Sequence, residues 1–334
     1  MQSSDDLSSQ LNTPAAKLTK AELKSADCWF PRADIVKDQP EMTAFKQAAR
    51  FHQYTWREQR GLPKGTNPYD PNTAKPGRVV APNGSRIEYL AATQSKANLL
   101  FTSARDAADH RIAHPQKDQM LNTQRLWCDL LSSMPMCFNL FGPLWADRDF
   151  AQRAVNAWFP DAPGTVSDIV FEWSPGRRDP DYLNNKTAFD VAIELDLGNN
   201  EFGIIGIETK YHEHAKEDSP PKSPALQRYL DVANTSQQFK DDKVDGIAGR
   251  PVQQLWQDHL LALSMKDHPS KKWTWVKYAL VYPEGNVSFM TAANHYRDYL
   301  EHTGTFTTLT VEQLLSSGLY PIPDERMLHG RYLW

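Results

Sequence analysis

Cysteine is nearly missing from this chain. Cys28, Cys128 and Cys137 are an odd set without C-x-x-C spacing, which argues against a disulfide framework or a cysteine zinc site and leaves three small buried side chains. Long apolar runs are missing too. None reaches the roughly 18 to 20 residues that span a bilayer, and the opening Met-Gln-Ser-Ser-Asp-Asp lacks the basic-then-apolar pattern of a secretory signal. A cytoplasmic protein is the simplest expectation. Excess positive charge is also lacking: 37 Lys and Arg stand against 41 Asp and Glu, a net charge of −4, which argues against a protein that coats DNA. An enzyme can still gather positive charge in one cleft, and carboxylates awaiting a metal make the formal count more negative. There is no internal repeat, no Gly-rich phosphate loop and no H-E-x-x-H helix. His212 and His214 share a strand face, but nothing nearby completes a zinc set.

What is present is enough to fold. At 334 residues and 40% hydrophobic content the chain can bury one large core or two small ones. Its most informative stretch is 187–211. Phe189, Val191, Ile193 and Leu195 alternate with Asp190, Ala192 and Glu194, the period of a half-buried strand, so Asp190 faces away from the apolar side. After a turn rich in Gly and Asn, Ile205, Ile207, Thr209 and Tyr211 take one face of a second strand while Ile204, Gly206, Glu208 and Lys210 take the other. The natural arrangement is an antiparallel hairpin with Asp190 beside Glu208 and Lys210 one step along. Two hard carboxylates, helped by a backbone carbonyl such as that of Thr209, suit Mg²⁺ or Mn²⁺. A neighbouring ammonium can orient or help deprotonate a water, or stabilise charge growing on a phosphate. The second strand is apolar on both faces around Ile204, Ile205 and Ile207, so its Glu and Lys must be paired or bound to a metal.

Other elements follow from pattern. Residues 1–25 are polar and read as poorly ordered or as one loosely docked helix. Residues 42–60 carry Phe45, Ala48, Ala49, Phe51, His52 and Trp56 at helical spacing. Residues 62–85 read as an extended connection whose Lys64 and Lys75 are solvated charges before they are DNA contacts. Helices are expected over 98–110 and 118–140, the second kinked or interrupted at Pro135. Ser132, Ser133 and Asn139 serve packing before DNA contact. A strand over 166–173 places Glu172 in its last half, as an extra metal ligand or a strand-end charge. Arg177 and Arg178, in the loop that follows, stand where they can meet phosphates. Residues 216–225 form a loop able to cover a substrate. A helix from 251 to 265, with Pro251 near its start, carries an apolar stripe and His259 as a packed histidine. A strand over 275–282, a helical segment over 295–300, and a short strand over 305–315 entering a helix capped by Thr310 complete the reading.

Asp190 followed by Glu208-Thr209-Lys210 resembles the D…(D/E)-x-K signature of the PD-(D/E)XK nuclease superfamily. Segments 56–63, 130–143, 171–175, 187–190, 207–211 and 280–286 resemble, in order, a group of bacterial restriction endonucleases within it. The resemblance implies an α/β, restriction-endonuclease-like fold: a mixed β-sheet flanked by helices with an N-terminal helical elaboration. The implied organisation is a tail over 1–39 and one nuclease domain over 40–334, with helices over 40–165 and the α/β core over 166–334. It implies a Mg²⁺-dependent deoxyribonuclease acting on DNA, double-stranded by expectation, with a homodimer as the means of cutting two strands. Asp190, Glu208 and Lys210 are the implied catalytic residues. Asp190, Glu208, Thr209 and Glu172 are the candidate metal ligands. Relatives often present a glutamine from the helix after the E-x-K strand, which makes Gln253 a further candidate. Relatives also draw an acid from a helix before the first strand; Asp129 and Gln124 leave that ligand unassigned. Two other classes remain open: a non-catalytic nucleic-acid-binding protein of the same fold, and an RNA-cleaving or toxin-type nuclease.

Overall fold

The computed structural model describes residues 18–66 and 82–334, so the expectations for residues 1–17 and for Lys75 lie outside the described residues. The N-terminal half is helical: α1 (Lys20–Ser25), α2 (Pro31–Asp34), α3 (Pro40–Gln59), α4 (Tyr89–Ser95), α5 (Thr102–Ala113), α6 (Thr123–Cys128), α7 (Ser133–Ala146) and α8 (Arg148–Trp158). Then come β1 (Thr165–Trp173), β2 (Phe189–Gly198), β3 (Glu201–Thr209), α9 (Ser223–Ser236), α10 (Gln253–Asp267), β4 (Trp273–Tyr282), α11 (Val287–Arg297), β5 (Phe306–Thr310), α12 (Val311–Ser316) and α13 (Ile322–Tyr332).

Among the described residues the strands form one sheet in the order β1-β2-β3-β4-β5. The first three are antiparallel, and β4 and β5 join them in parallel. The sheet is therefore mixed, as expected. The β2–β3 hairpin turns on Asn199 (φ 54°) and Asn200 (φ 63°), the left-handed conformation that a tight hairpin needs and asparagine tolerates. The crossover to β4 runs through α9 and α10, and α11 supplies the crossover from β4 to β5.

Each sheet face buries its own core. Val191, Ile193, Leu195, Ile205 and Ile207 meet α5, α7, α8 and α13, whereas Phe189, Ala192, Ile204, Tyr278 and Leu280 meet α9, α10 and α11. This is helix, sheet, helix in three layers. Phe189 departs from the expected alternation, lying on the face opposite Val191. Gly206 explains it: a Cβ there would stand 2.3 Å from the Phe189 ring, so only glycine leaves room for the ring to fold across β3.

Several local expectations are corrected. Residues 118–140 divide into α6 and α7 at 129–132, ahead of Pro135, which sits harmlessly in the first turn of α7. The segment just before residue 40 is packed: Leu23, Ala26 and Cys28 are buried against Trp29, Phe51 and Tyr54. The inward side of α3 is polar as well as apolar, with Lys46, Arg50, Gln53 and Arg57 buried beside Met42, Ala49 and Trp56. α2, α4, α8, α9 and α13 were not anticipated, and the helix expected over 295–300 begins earlier, at Val287. Lys64 pairs with Asp27 at 3.3 Å. All three cysteines are buried and unbridged.

Candidate active site

Strand register builds the site. Val191 pairs with Ile207, which sets Asp190 across from Glu208. Phe171 and Trp173 pair with Val191 and Phe189, which sets Glu172 across from Asp190. Three carboxylates thus form one row over three adjacent strands, with Glu172 in a left-handed conformation (φ 48°) that a glutamate rarely adopts. Lys210 lies just past the end of β3, and its Nζ donates to Glu208 Oε1 at 2.6 Å.

The partners of these groups define their states. Asp190 Oδ2 accepts from the Thr209 amide at 2.8 Å and the Thr209 hydroxyl at 2.6 Å. Burial nonetheless pushes Asp190 above the usual carboxylate range, against the pull of Lys210 and Thr209. Glu208 is also pushed up, by burial and by Asp190. Glu172 is raised to about 7 by burial and then by Asp190, although Arg177 opposes the shift. Lys210 moves the other way for an ammonium: burial favours the neutral amine, but Glu208, Glu213 and Asp190 outweigh it and raise the pKa. Lys210 is consequently a fixed cation and hydrogen-bond donor.

The glutamine that meets this pair is Gln254. It accepts from Lys210 Nζ at 3.0 Å and donates to Glu208 Oε1 at 2.9 Å. Gln253, the candidate from sequence, turns to the neighbouring loop, accepting from Gly249 N at 2.6 Å and donating to Ser219 O at 3.2 Å. Consecutive helix residues point about 100° apart, so only one of the two can face β3. One turn beyond Gln254, Asp258 is buried and raised to about 7 by desolvation, with Asp190 adding to the shift. Sequence reasoning missed Gln254 and Asp258. Their i, i+4 spacing, and an acid interrupting the apolar run from Leu255 to Leu261, were the available signals.

Other candidates are placed elsewhere. Arg177 is nearly buried, bonded to Gln116 Oε1 at 2.7 Å and to the Glu172 carbonyl at 3.0 Å. It braces the end of β1 instead of facing solvent. Arg178 is exposed and 3.3 Å from Asp118. Ser132 caps α7, and Asn139 ties Leu100 N and Asn98 O to that helix. Asp129 is the C-cap of α6 and accepts from Leu131 N. His259 is packed between Tyr296 and Thr305. His212 meets Arg50 at 3.3 Å and His214 meets Lys46 at 3.1 Å. Between them, Glu213 accepts from the Tyr211 amide and the Ser133 hydroxyl.

Among the described residues no three His, Cys, Asp or Glu side chains converge as a ready-made metal cage. The donor chemistry still fits a hard divalent cation. Every candidate donor is an oxygen, the carboxylates raise one another's pKa, and Mg²⁺ keeps several waters and needs only one or two carboxylates from the protein.

A mixed sheet whose second and third strands present Asp190 and Glu208-Thr209-Lys210 at one end defines a class, that of phosphodiester-cleaving folds built on this signature. The sequence profile of the PD-(D/E)XK nuclease superfamily matches residues 39–334, and the chain belongs to that superfamily. Membership makes a nuclease the indicated activity, nucleic acid the indicated substrate class, and a divalent metal the usual cofactor. Comparison with curated proteins and with solved structures gives no match.

Proposed function

We propose that the protein is a Mg²⁺-dependent deoxyribonuclease that hydrolyses DNA phosphodiester bonds, with Mn²⁺ as a working substitute. The observation that carries this reading is the register that sets Asp190 across from Glu208, with Lys210 2.6 Å from the Glu208 carboxylate. Asp190 and Glu208 are the residues to hold the metal, with the Thr209 carbonyl and Glu172 as further donors. When bound, the cation supplies a lowered water pKa and neutralises phosphate charge.

The chain's own groups do the rest. Lys210, kept protonated, donates to a non-bridging phosphate oxygen or orients the attacking water. Gln254 holds the Lys210 ammonium and the Glu208 carboxylate in one orientation. Thr209 pins Asp190 through one oxygen and leaves the other for a ligand. Double-stranded DNA is the proposed substrate, and a two-fold dimer would present one site to each antiparallel strand.

The deciding experiment incubates wild type and Lys210→Ala with supercoiled plasmid, in Mg²⁺ and in EDTA. Wild type should nick or linearise the plasmid only with Mg²⁺, and the variant should lose about 10²- to 10³-fold or more in rate. Full activity in Lys210→Ala sinks the assignment. Cleavage of RNA but not DNA under the same conditions would reassign the substrate and keep the site.

A further inference from the structure

A chain with net charge −4 gathers cations around two adjoining cavities beside Lys210. Two cavities adjoin at Ala33, His212 and Glu213. The first, about 420 Å³, has Lys210 in its wall together with Arg32, Lys46 and Lys216, against the acids Glu213 and Asp218. The second, about 260 Å³, carries Arg50, Arg86 and Arg125, against Asp129 and the shared Glu213. Arg50 is committed to Asp34 through hydrogen bonds of 2.6 and 2.7 Å. Among the described residues, however, Arg32, Lys46, Lys216 and Arg125 take part in no ion pair.

Lys46 is the telling member. It is only 4% exposed, and its Nζ meets His214 Nδ1 at 3.1 Å. His214 is pulled down to about 4 by burial and by Lys46 and Lys216, so it is a neutral acceptor and does not balance the charge. Burial lowers the Lys46 pKa, and the two carboxylates that favour its charge, Asp34 and Glu213, are themselves committed to Arg50 and to Tyr211 N and the Ser133 hydroxyl, so an ammonium is costly to keep here. A fold that keeps one here, open to a cavity shared with Lys210, is built to receive an anion. Arg32 comes from α2, ahead of the residues that match the superfamily profile, so this wall belongs to the present chain's own N-terminal segment.

We propose that the two cavities form a track for the backbone phosphates of a single nucleic-acid strand, running from Lys210 past Lys46, Arg32 and Lys216 to Arg125. The nuclease reading supplies the identity of the polyanion, and the inference rests on it to that extent. One strand is specified because cavities of about 420 and 260 Å³ have room within them for one strand and not for both strands of a duplex. A duplex substrate must then open locally or offer an end. The phosphates are held without regard to sequence, because the contacts are charges and not base-edge donors.

The test measures binding of a labelled single-stranded 15-mer in EDTA, so that no cleavage step enters. Lys46→Met, Arg32→Ala and Arg125→Ala should each weaken binding by about 3- to 10-fold and flatten the log K against log salt line by about 0.7 per lost phosphate contact. Lys266→Ala, at the exposed end of α10 away from both cavities, should bind as wild type does. Lys46→Met should melt at or above the wild-type temperature, since burial disfavours the ammonium more than Asp34 and Glu213 favour it. A blunt duplex of the same sequence should bind more weakly than the single strand. The track is overturned if wild type does not hold the single strand, if the three variants match Lys266→Ala, if the duplex binds as tightly, or if Lys46→Met loses binding only through lost stability. Cleavage retained by Lys210→Ala would instead overturn the catalytic reading and leave these binding results standing.

Discussion

On one face of the end of β3, Glu208 and Lys210 are buried with Gln254, and Asp190, Glu172 and Asp258 crowd the same carboxylate field. On the other face, one residue along, Tyr211 is equally buried but uncharged. Its hydroxyl accepts from Gln53 Nε2 at 2.6 Å, and the same amide nitrogen donates to the Arg331 carbonyl at 2.7 Å. The Arg331 guanidinium there stacks over Trp56 and Tyr332 and donates to Asn98 Oδ1 at 2.8 Å. The two faces share a backbone and a degree of burial, and differ in the sign of the charge they hold. Beside Tyr211 it is one guanidinium, that of Arg331, whose Nε and Nη1 have no hydrogen-bond partner among the described residues and whose pKa burial lowers; beside Glu208 it is a group of carboxylates with Lys210. Where carboxylates push one another's pKa up, the fold carries a cost that a bound cation would relieve.

Emptying each face in turn gives the largest effects. Tyr211→Ala removes a large, fully buried ring and should lower the unfolding free energy by about 3–5 kcal/mol in urea titration, with little change in rate per folded molecule. Lys210→Ala should do the reverse, since Glu208, already pushed towards its protonated form, can survive the loss of its partner by taking up a proton. If Tyr211→Ala abolishes cleavage without loss of stability, the division between the faces is wrong.

The legible part of the molecule was the part written in period two. Alternation along 189–195 and 204–211 gave the hairpin, and the hairpin's register is enough to set Asp190 across from Glu208. Two kinds of feature were illegible for physical reasons. Phe189 crosses to the other face because Gly206 makes room, a contact between strands that no single-strand pattern contains. The inward stripe of α3 carries Lys46, Arg50 and Gln53, which hydrophobic periodicity assigns to solvent. Those residues are tolerated inside because Asp34, His212, His214, Tyr211 and the chain end around Arg331 meet them. Choosing Gln253 over Gln254 was a matter of about 100° of helix phase, which requires knowing where α10 meets β3.

A smaller effect sharpens the electrostatic side. Glu172 is raised from 4.5 to about 7 in the fold. Between those values the unfolded chain has lost a proton that the folded protein keeps, so the native state binds more protons and stability falls as pH rises through this window. Glu172→Gln cannot ionise. Without metal, its stability relative to wild type should therefore increase between pH 5 and pH 8, by on the order of 1–3 kcal/mol. His52 and His259, held down to about 4 and about 3 mainly by burial, act in the opposite direction, destabilising the fold as pH falls below the ordinary histidine value, but they cancel in the comparison of the two proteins. Mg²⁺ should shrink the difference by favouring the ionised carboxylates. A difference that is flat with pH would mean that Glu172 ionises normally, and that the carboxylate row is less crowded than the register implies.

The finest cut lies between two neighbours on α10. Gln254 touches both Lys210 and Glu208, so Gln254→Ala should leave both groups present but free to reorient, lowering kcat by about tenfold with a small change in KM. Gln253 bonds to the loop at 219 and 249 and lines the cavity beside Lys210 with Lys216 and Asp218, so its loss should cost roughly 1 kcal/mol of local order and raise KM. Steady-state plasmid cleavage by the two variants separates the cases. Opposite behaviour, with Gln253→Ala lowering kcat and Gln254→Ala raising KM, would mean that the loop carries a group into the reaction and that the glutamine beside Glu208 is only packing. The functional face of α10 would then be that of Gln253 and Gln257, and not the face of Gln254 and Asp258 that its orientation on β3 brings to the charged end of the strand.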